Sequence, residues 1–242
     1  MLNAPNWIGI HIKINDILLD LNTCEVAEFR RELNMKEGWI SRSFKATLTN
    51  GNEIQVYSKR FISLSDNETG AISYRIKALN FAGTITMTPY LDAGIVNEDS
   101  NYDEFFWEIL DVKAGENQGC ILSRTLKTHF SVATAMQVSY EKNGKPIDPE
   151  ASIDQEDKKL GYTYKIDVKP DDEINLVKFA SYTTSLNHEF DQLVKAAIEN
   201  VLKAKIKGFD TMLNEQAKAW ADIWHMADIV IKGDVKAQQG IR

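Results

Sequence analysis

Only two cysteines, four histidines and five prolines occur in 242 residues. Cys24 and Cys120 stand far apart in the chain, which excludes a disulfide-stapled scaffold and fits a reducing compartment, where thiols pack as small hydrophobes. One Cys24–Cys120 bridge stays open on sequence grounds, because a disulfide is decided by separation in space. His11, His129, His188 and His225 show no His-x-x-x-His spacing and the cysteines no Cys-x-x-Cys, so no metal ligand set is assigned. Gly-x-Ser-x-Gly, P-loop and Gly-x-Gly-x-x-Gly patterns are also missing, which removes the familiar nucleophile and nucleotide sites and leaves no cofactor implied. No apolar run reaches the roughly 18 residues of a membrane-spanning helix. The opening Met1-Leu2-Asn3-Ala4-Pro5-Asn6 has no basic-then-apolar secretory leader. Lys and Arg number 28 against 35 Asp and Glu, a formal charge of −7 with no basic tract, so the clustered cations that a polyanion partner needs are lacking. The expectation is a cytoplasmic protein with neither a nucleic-acid nor a membrane partner.

What is present is a period of two. Ile8, Ile10, Ile12 and Ile14 alternate with Gly9, His11, Lys13 and Asn15, the pattern of a half-buried strand with His11 on its solvated face. Comparable runs recur at 44–48, 53–61, 72–79, 84–90, 105–110, 130–140, 162–168 and 175–183, about a dozen strands in all. Asn50-Gly51 and Asn143-Gly144 are hairpin dipeptides that tolerate positive φ. Asp171-Asp172-Glu173 reads as a charged turn, and Pro146 to Leu160, rich in charge and proline, as an exposed loop. No helical pattern interrupts the strands, so a parallel βαβ sheet is disfavoured.

Near residue 187 the period changes. Phe190, Leu193, Val194, Ala197, Ile198, Val201 and Leu202 recur at helical spacing, with Asn187 as N-cap and Gly208 as the stop. Phe209, Met212, Leu213, Ala217, Trp220 and Trp224 form a second stripe ending near His225. From Ala227 to Arg242 the chain reads as an extended piece and a turn. The fold class is therefore mainly β, an antiparallel β super-sandwich followed by two C-terminal linker helices. Its expected divisions are a sandwich over 1–186, a helical linker over 187–226 and a remainder over 227–242.

The chemically suggestive segment is Asn97-Glu98-Asp99-Ser100-Asn101-Tyr102-Asp103-Glu104, running into Phe105-Phe106-Trp107. It has the composition for a general acid, a calcium site or a sugar-stacking platform, and equally for a solvated loop whose aromatics feed the core. It lacks the regular oxygen alternation and the glycine of an EF-hand loop. Trp220 and Trp224, at i, i+4, fit helix packing better than sugar stacking.

Several segments together resemble the N-terminal region of family 65 of the glycoside hydrolases. They are Phe29-Arg30-Arg31-Glu32-Leu33-Asn34-Met35-Lys36-Glu37-Gly38 with Ser41-Arg42, Lys59-Arg60-Phe61-Ile62-Ser63-Leu64, and Pro89-Tyr90-Leu91-Asp92-Ala93-Gly94 leading into the acidic loop and Phe106-Trp107. Ala219-Trp220, Trp224, Ala227-Asp228-Ile229, Gly233-Asp234 and Gln238-Gln239-Gly240-Ile241-Arg242 complete the set. The third segment most resembles the maltose-cleaving branch; kojibiose- and trehalose-cleaving enzymes are the related branches. Asn34 departs from the family's frequent Asp.

The resemblance implies a non-catalytic sandwich and linker, with 227–242 the start of a truncated catalytic barrel that would carry the working Glu. In that barrel the Glu would protonate the glycosidic oxygen while inorganic phosphate, as co-substrate, attacks the anomeric carbon from the opposite face and inverts it. No catalytic, cofactor or metal residue is expected in this chain. The resemblance further implies as partners the chain's own α/α barrel, the disaccharide and a second copy in a homodimer. Asn97, Glu98, Asp99, Asp103 and Trp107 are the candidates for a loop at the active-site mouth or an interface, and Trp220 and Trp224 for docking to the barrel. An undocked helix pair should expose an apolar stripe. The competing reading is a self-standing carbohydrate-binding module, and a hydrolase also stays open.

Overall fold

The computed structural model describes residues 2–97 and 104–241. Its strands run antiparallel in two facing sheets. The smaller holds, in spatial order, β12 (Ala151–Glu156), β13 (Lys159–Val168), β7 (Gly83–Asp92), β1 (Ile10–Ile14) and β2 (Ile17–Leu18). The larger runs β3 (Glu25–Asn34), β4 (Trp39–Thr47), β5 (Glu53–Ile62), β6 (Thr69–Ala78), β14 (Glu173–Thr184), β10 (Ser131–Lys142), β9 (Gln118–Thr125) and β8 (Trp107–Ala114), with β11 (Lys145–Ile147) paired to the end of β10. This is the expected sandwich.

Register follows from alternation, because a one-residue slip would turn every apolar side chain outward. Ile12 pairs with Met87 and Ile14 with Ile85, and all four are buried between the sheets beside Phe44, Ile54, Val56, Ile76 and Leu176. Asn143 and Gly144 take φ of 52° and 73°, closing β10 and β11 as the two-residue hairpin the dipeptide demands.

Several polar links cross between the sheets. The fully buried Lys178 of β14 donates from Nζ to the carbonyls of Gly9 (3.1 Å) and Tyr90 (2.6 Å). Tyr182 donates its hydroxyl to the Pro5 carbonyl, and Tyr164 donates to Asn117 Oδ1 at 3.0 Å. Burial pushes the Tyr164 and Tyr182 phenols well up, so they stay protonated as donors at neutral pH.

Two helices cover the outer face of the larger sheet, which explains why β10 and β14 are buried on both sides. In α1 (Leu193–Lys207), Leu193, Ala197 and Val201 sit one turn apart against Cys120, Leu122, Ala133 and Ala135. Ala204 of α1 and Met212 of α2 (Phe209–Ala227) join Phe61, Ala71, Val177 and Phe179. Fully burying each larger aliphatic side chain here is worth about 2 kcal/mol relative to exposure. Gly208, at φ 82°, ends α1 as expected. Glu68 Oε1 meets His188 Nε2 at 2.8 Å and its Oε2 accepts from Asn200 Nδ2 at 3.1 Å, pinning α1 to the β5–β6 turn.

Several expectations are corrected. Residues 146–160 are not one loop: β11 and β12 lie there, because backbone pairing with β10 and β13 outweighs a polar composition. Strands β3 and β9 add to the expected runs. Most of β3 is exposed and is broken by a bulge at Glu28 (φ 52°), whereas β9 is buried on both faces, so neither alternates. Asn187 is not the N-cap; a 3₁₀ turn at Phe190–Gln192 intervenes and α1 starts from Gln192. The tail's expected turn is a short helix, α3 (Val235–Ile241), where Asp234 Oδ1 accepts from the Ala237 amide at 2.9 Å. Cys24 and Cys120 are both free thiols; burial pushes Cys120 up to about 12. No helix among the described residues is long and apolar enough to cross a membrane.

Candidate functional site

Two places gather the residues singled out above. The first is the acidic segment between β7 and β8. Asn3 straps its two limbs: its amide donates to Asn97 Oδ1 (3.0 Å) and its carbonyl accepts from Trp107 Nε1 (2.9 Å). Backbone bonds between Asn6 and Asp92, and from Ala93 to the Lys158 carbonyl, hold the neighbouring chain. Trp107 is 5% exposed, so it anchors the loop and offers no stacking face. Glu98, Asp99 and Asp103 lie outside the described residues.

Beside this segment is an open groove of about 880 Å³ lined by Phe105, Trp107, Leu110, Asp111, Glu156 and Lys158. Lys158 Nζ sits 3.7 Å from the Phe105 ring centroid. Carboxylates around an apolar floor suit hydroxyl-rich or cationic groups better than anions. Sequence reasoning missed Asn3 and Lys158, which reach the site from remote points of the chain without any local pattern.

The second place is the contact between α2 and the β3–β4 turn. The fully buried Gln216 accepts from the Leu64 amide at Oε1 (2.6 Å) and donates from Nε2 to the Gly38 carbonyl (3.1 Å). Trp220 and Trp224 stack at 5.6 Å, and Trp224 Nε1 donates to the Lys36 carbonyl at 3.0 Å. Gly38, at φ 69°, lies so close to Trp220 that an added Cβ would stand 1.9 Å from its Nε1. The structure thus brings three widely separated segments, 34–38, 63–64 and 216–224, into one junction. Gln216 is its centre, and nothing in its helical position marked it beyond the surrounding stripe.

None of the tryptophans is largely exposed: Trp7 and Trp107 are buried, and Trp39, Trp220 and Trp224 are half-buried. His11 is exposed and lies 4.6 Å from the Tyr90 ring, its pKa lowered by partial burial and by Lys159. Among the described residues, no group of three or more His, Cys, Asp or Glu side chains is arranged to hold a metal.

Two facing antiparallel sheets, with a helix pair anchored through Gln216 on the outer face of the larger one, define a helix-capped β-sandwich domain. The sequence profile described as "Glycosyl hydrolase family 65, N-terminal domain" matches residues 1–223, and the chain belongs to that family. It is 31% identical over 242 residues to maltose phosphorylase of Bacillus subtilis (strain 168) and 30% identical over 250 residues to α,α-trehalose phosphorylase of Thermoanaerobacter brockii. All of this chain is covered in both, but only 31% and 32% of those proteins. The chain therefore spans about a third of the length of these curated relatives. A solved structure, "Putative kojibiose phosphorylase from human microbiome", superposes with a TM-score of 0.86 at 22% identity over 99% of this chain and 30% of that one, which shows the same fold.

Proposed function

We propose that this chain is the non-catalytic sandwich-and-linker portion of a maltose phosphorylase that inverts the anomeric carbon and releases β-glucose 1-phosphate and glucose. The observation that carries the reading is the end-to-end match to a maltose phosphorylase, of which this chain corresponds to 31%. The 89–94 segment running into Phe106-Trp107 favours maltose over trehalose or kojibiose. Inorganic phosphate would be the co-substrate, and the proposed cytoplasmic setting supplies it. The 97–107 segment would lean over the mouth of the chain's own α/α barrel.

The test is an assay of both this chain and the longer gene product for phosphate-dependent cleavage of maltose, trehalose and kojibiose. The longer product should turn over maltose at least tenfold faster than the other two, and this chain none of them. Turnover by this chain alone would overturn the division of labour, and a preference for trehalose or kojibiose would overturn the choice of sugar. The tryptophans pack within the chain, which favours this reading over a self-standing sugar-binding module.

Barrel docking and homodimer formation belong to the same reading. The faces of Trp220 and Trp224 toward the sandwich are occupied by the chain's own turn, while Ile206 (87% exposed) and Met226 (80%) point outward. Light scattering should find this chain self-associating through that face, with Ile206→Glu restoring the monomer. A strict monomer at high concentration would count against a docking role for these helices.

A further inference from the structure

We propose that Arg31, Arg42 and Arg60 form a binding site for a sugar phosphate monoester between the two sheets. The site is a cavity of about 530 Å³, within the range of small-molecule pockets. It lies at the β3–β5 end of the larger sheet, where β1 and β2 form the opposite wall.

Three neighbouring strands deliver the arginines. Arg31 on β3 is the direct cross-strand partner of Arg42 on β4, and Arg60 on β5 pairs with Ile40, two residues along β4. Like charges directly opposite one another are unfavourable in a sheet. No ion pair joins any of the three to a carboxylate among the described residues. Neighbouring acids are engaged elsewhere: Glu32 pairs with Arg30 and Glu28 with Lys45. Asp20, the acid in the cavity wall, accepts from Asn22 through both its amide and its side chain.

Burial, then Arg31 and Arg42, hold the Arg60 guanidinium below its ordinary pKa, the mark of a cation short of counter-charge. Three guanidiniums against one carboxylate leave two net positive charges. A phosphate monoester carries nearly that charge in the opposite sense near neutral pH, and planar guanidiniums grip its oxygens in pairs.

The rest of the cavity suits the sugar. Tyr74 supplies a hydroxyl, with Arg42 hydrogen-bonded beside it, and Ser58 a second. Phe29, 53% exposed and backed by the buried Phe44 with ring centroids 6.4 Å apart, gives an aromatic face for the carbon face of a pyranose. An inorganic anion would use the cations and leave this aromatic face empty.

Calorimetric titration of this chain with glucose 1-phosphate, glucose 6-phosphate, inorganic phosphate and glucose tests the site. A hexose phosphate should saturate one site per chain, inorganic phosphate should bind at least tenfold more weakly, and glucose should give no heat. Arg42→Met and Arg60→Met should each weaken the hexose phosphate at least tenfold, and raising the salt concentration should weaken it further. Unliganded Arg60→Met should melt no lower than the parent chain, because a repulsion is relieved. No saturation by either hexose phosphate up to about 10 mM would overturn the proposal. So would phosphate binding as tightly as the esters, unchanged affinity in the variants, or a lower melting temperature that marks Arg60 as structural. The outcome is independent of the phosphorolysis reading, which is scored by turnover in the longer product.

Discussion

Gly38→Val should destabilise the chain by about 3–5 kcal/mol and release the C-terminal half of α2 from the sandwich. Two costs add. A β-branched residue at φ 69° is strained in the left-handed region, and its Cβ would stand 1.9 Å from Trp220 Nε1, closer than any real contact. The clash has no cheap relief, because Trp220 is stacked on Trp224 and Trp224 is bonded to Lys36. The Gly38 carbonyl would also lose Gln216.

Urea unfolding followed by tryptophan fluorescence measures the effect, with a lower midpoint and red-shifted native emission expected. Gln216→Leu is the companion: it keeps the volume but orphans the Leu64 amide and the Gly38 carbonyl, at a cost of about 1–3 kcal/mol. The two changes act on one contact, so the double variant should lose less than the sum. A Gly38→Val chain with parental midpoint and emission would show that the junction does not hold the helix.

Lys178→Met should remove a pH dependence that the parent chain carries. Burial alone depresses the Lys178 pKa well below 10.5, so the folded state holds this amine neutral where the unfolded chain protonates it. Unfolding then takes up a proton, and stability rises with pH from the depressed folded value up to 10.5. Within that window the parent chain should gain about 1.4 kcal/mol per pH unit relative to Lys178→Met. The variant forfeits the bond to the Tyr90 carbonyl and is expected to compare best near neutral pH and worst near pH 10. Denaturation of both chains at several pH values reads this directly. A difference that stays flat with pH would mean that Lys178 is charged in the folded protein, its two carbonyl acceptors outweighing the burial.

The parts legible in the sequence were those whose side chains face one partner. β1 shows its core side as Ile10, Ile12 and Ile14, and α1 as Leu193, Ala197 and Val201, because a period of two or of 3.6 survives when one face is wet. β9 was illegible for the opposite reason: with the smaller sheet on one side and α1 on the other, both faces became apolar and no alternation remained. β3 and β12 were illegible because they are mostly exposed edge strands held by backbone bonds, to which side-chain patterns are blind. The acidic segment was visible as composition, but its strap, Asn3, was not, since a hydrogen bond spanning 94 residues leaves no local trace.

Local rules, the alternation of apolar residues and the demands of hairpin dipeptides, were enough to establish an antiparallel sandwich followed by two helices, and the quoted segments were enough to point to the family. Which residues meet was decided in three dimensions. Gln216 became the clasp of α2, Lys178 a buried bridge between the sheets, and Arg31, Arg42 and Arg60 one cationic wall, although no spacing along the chain connects them. The physical reason is that contacts between sheets and across strands depend on register, twist and depth, and these are set only when the whole core closes.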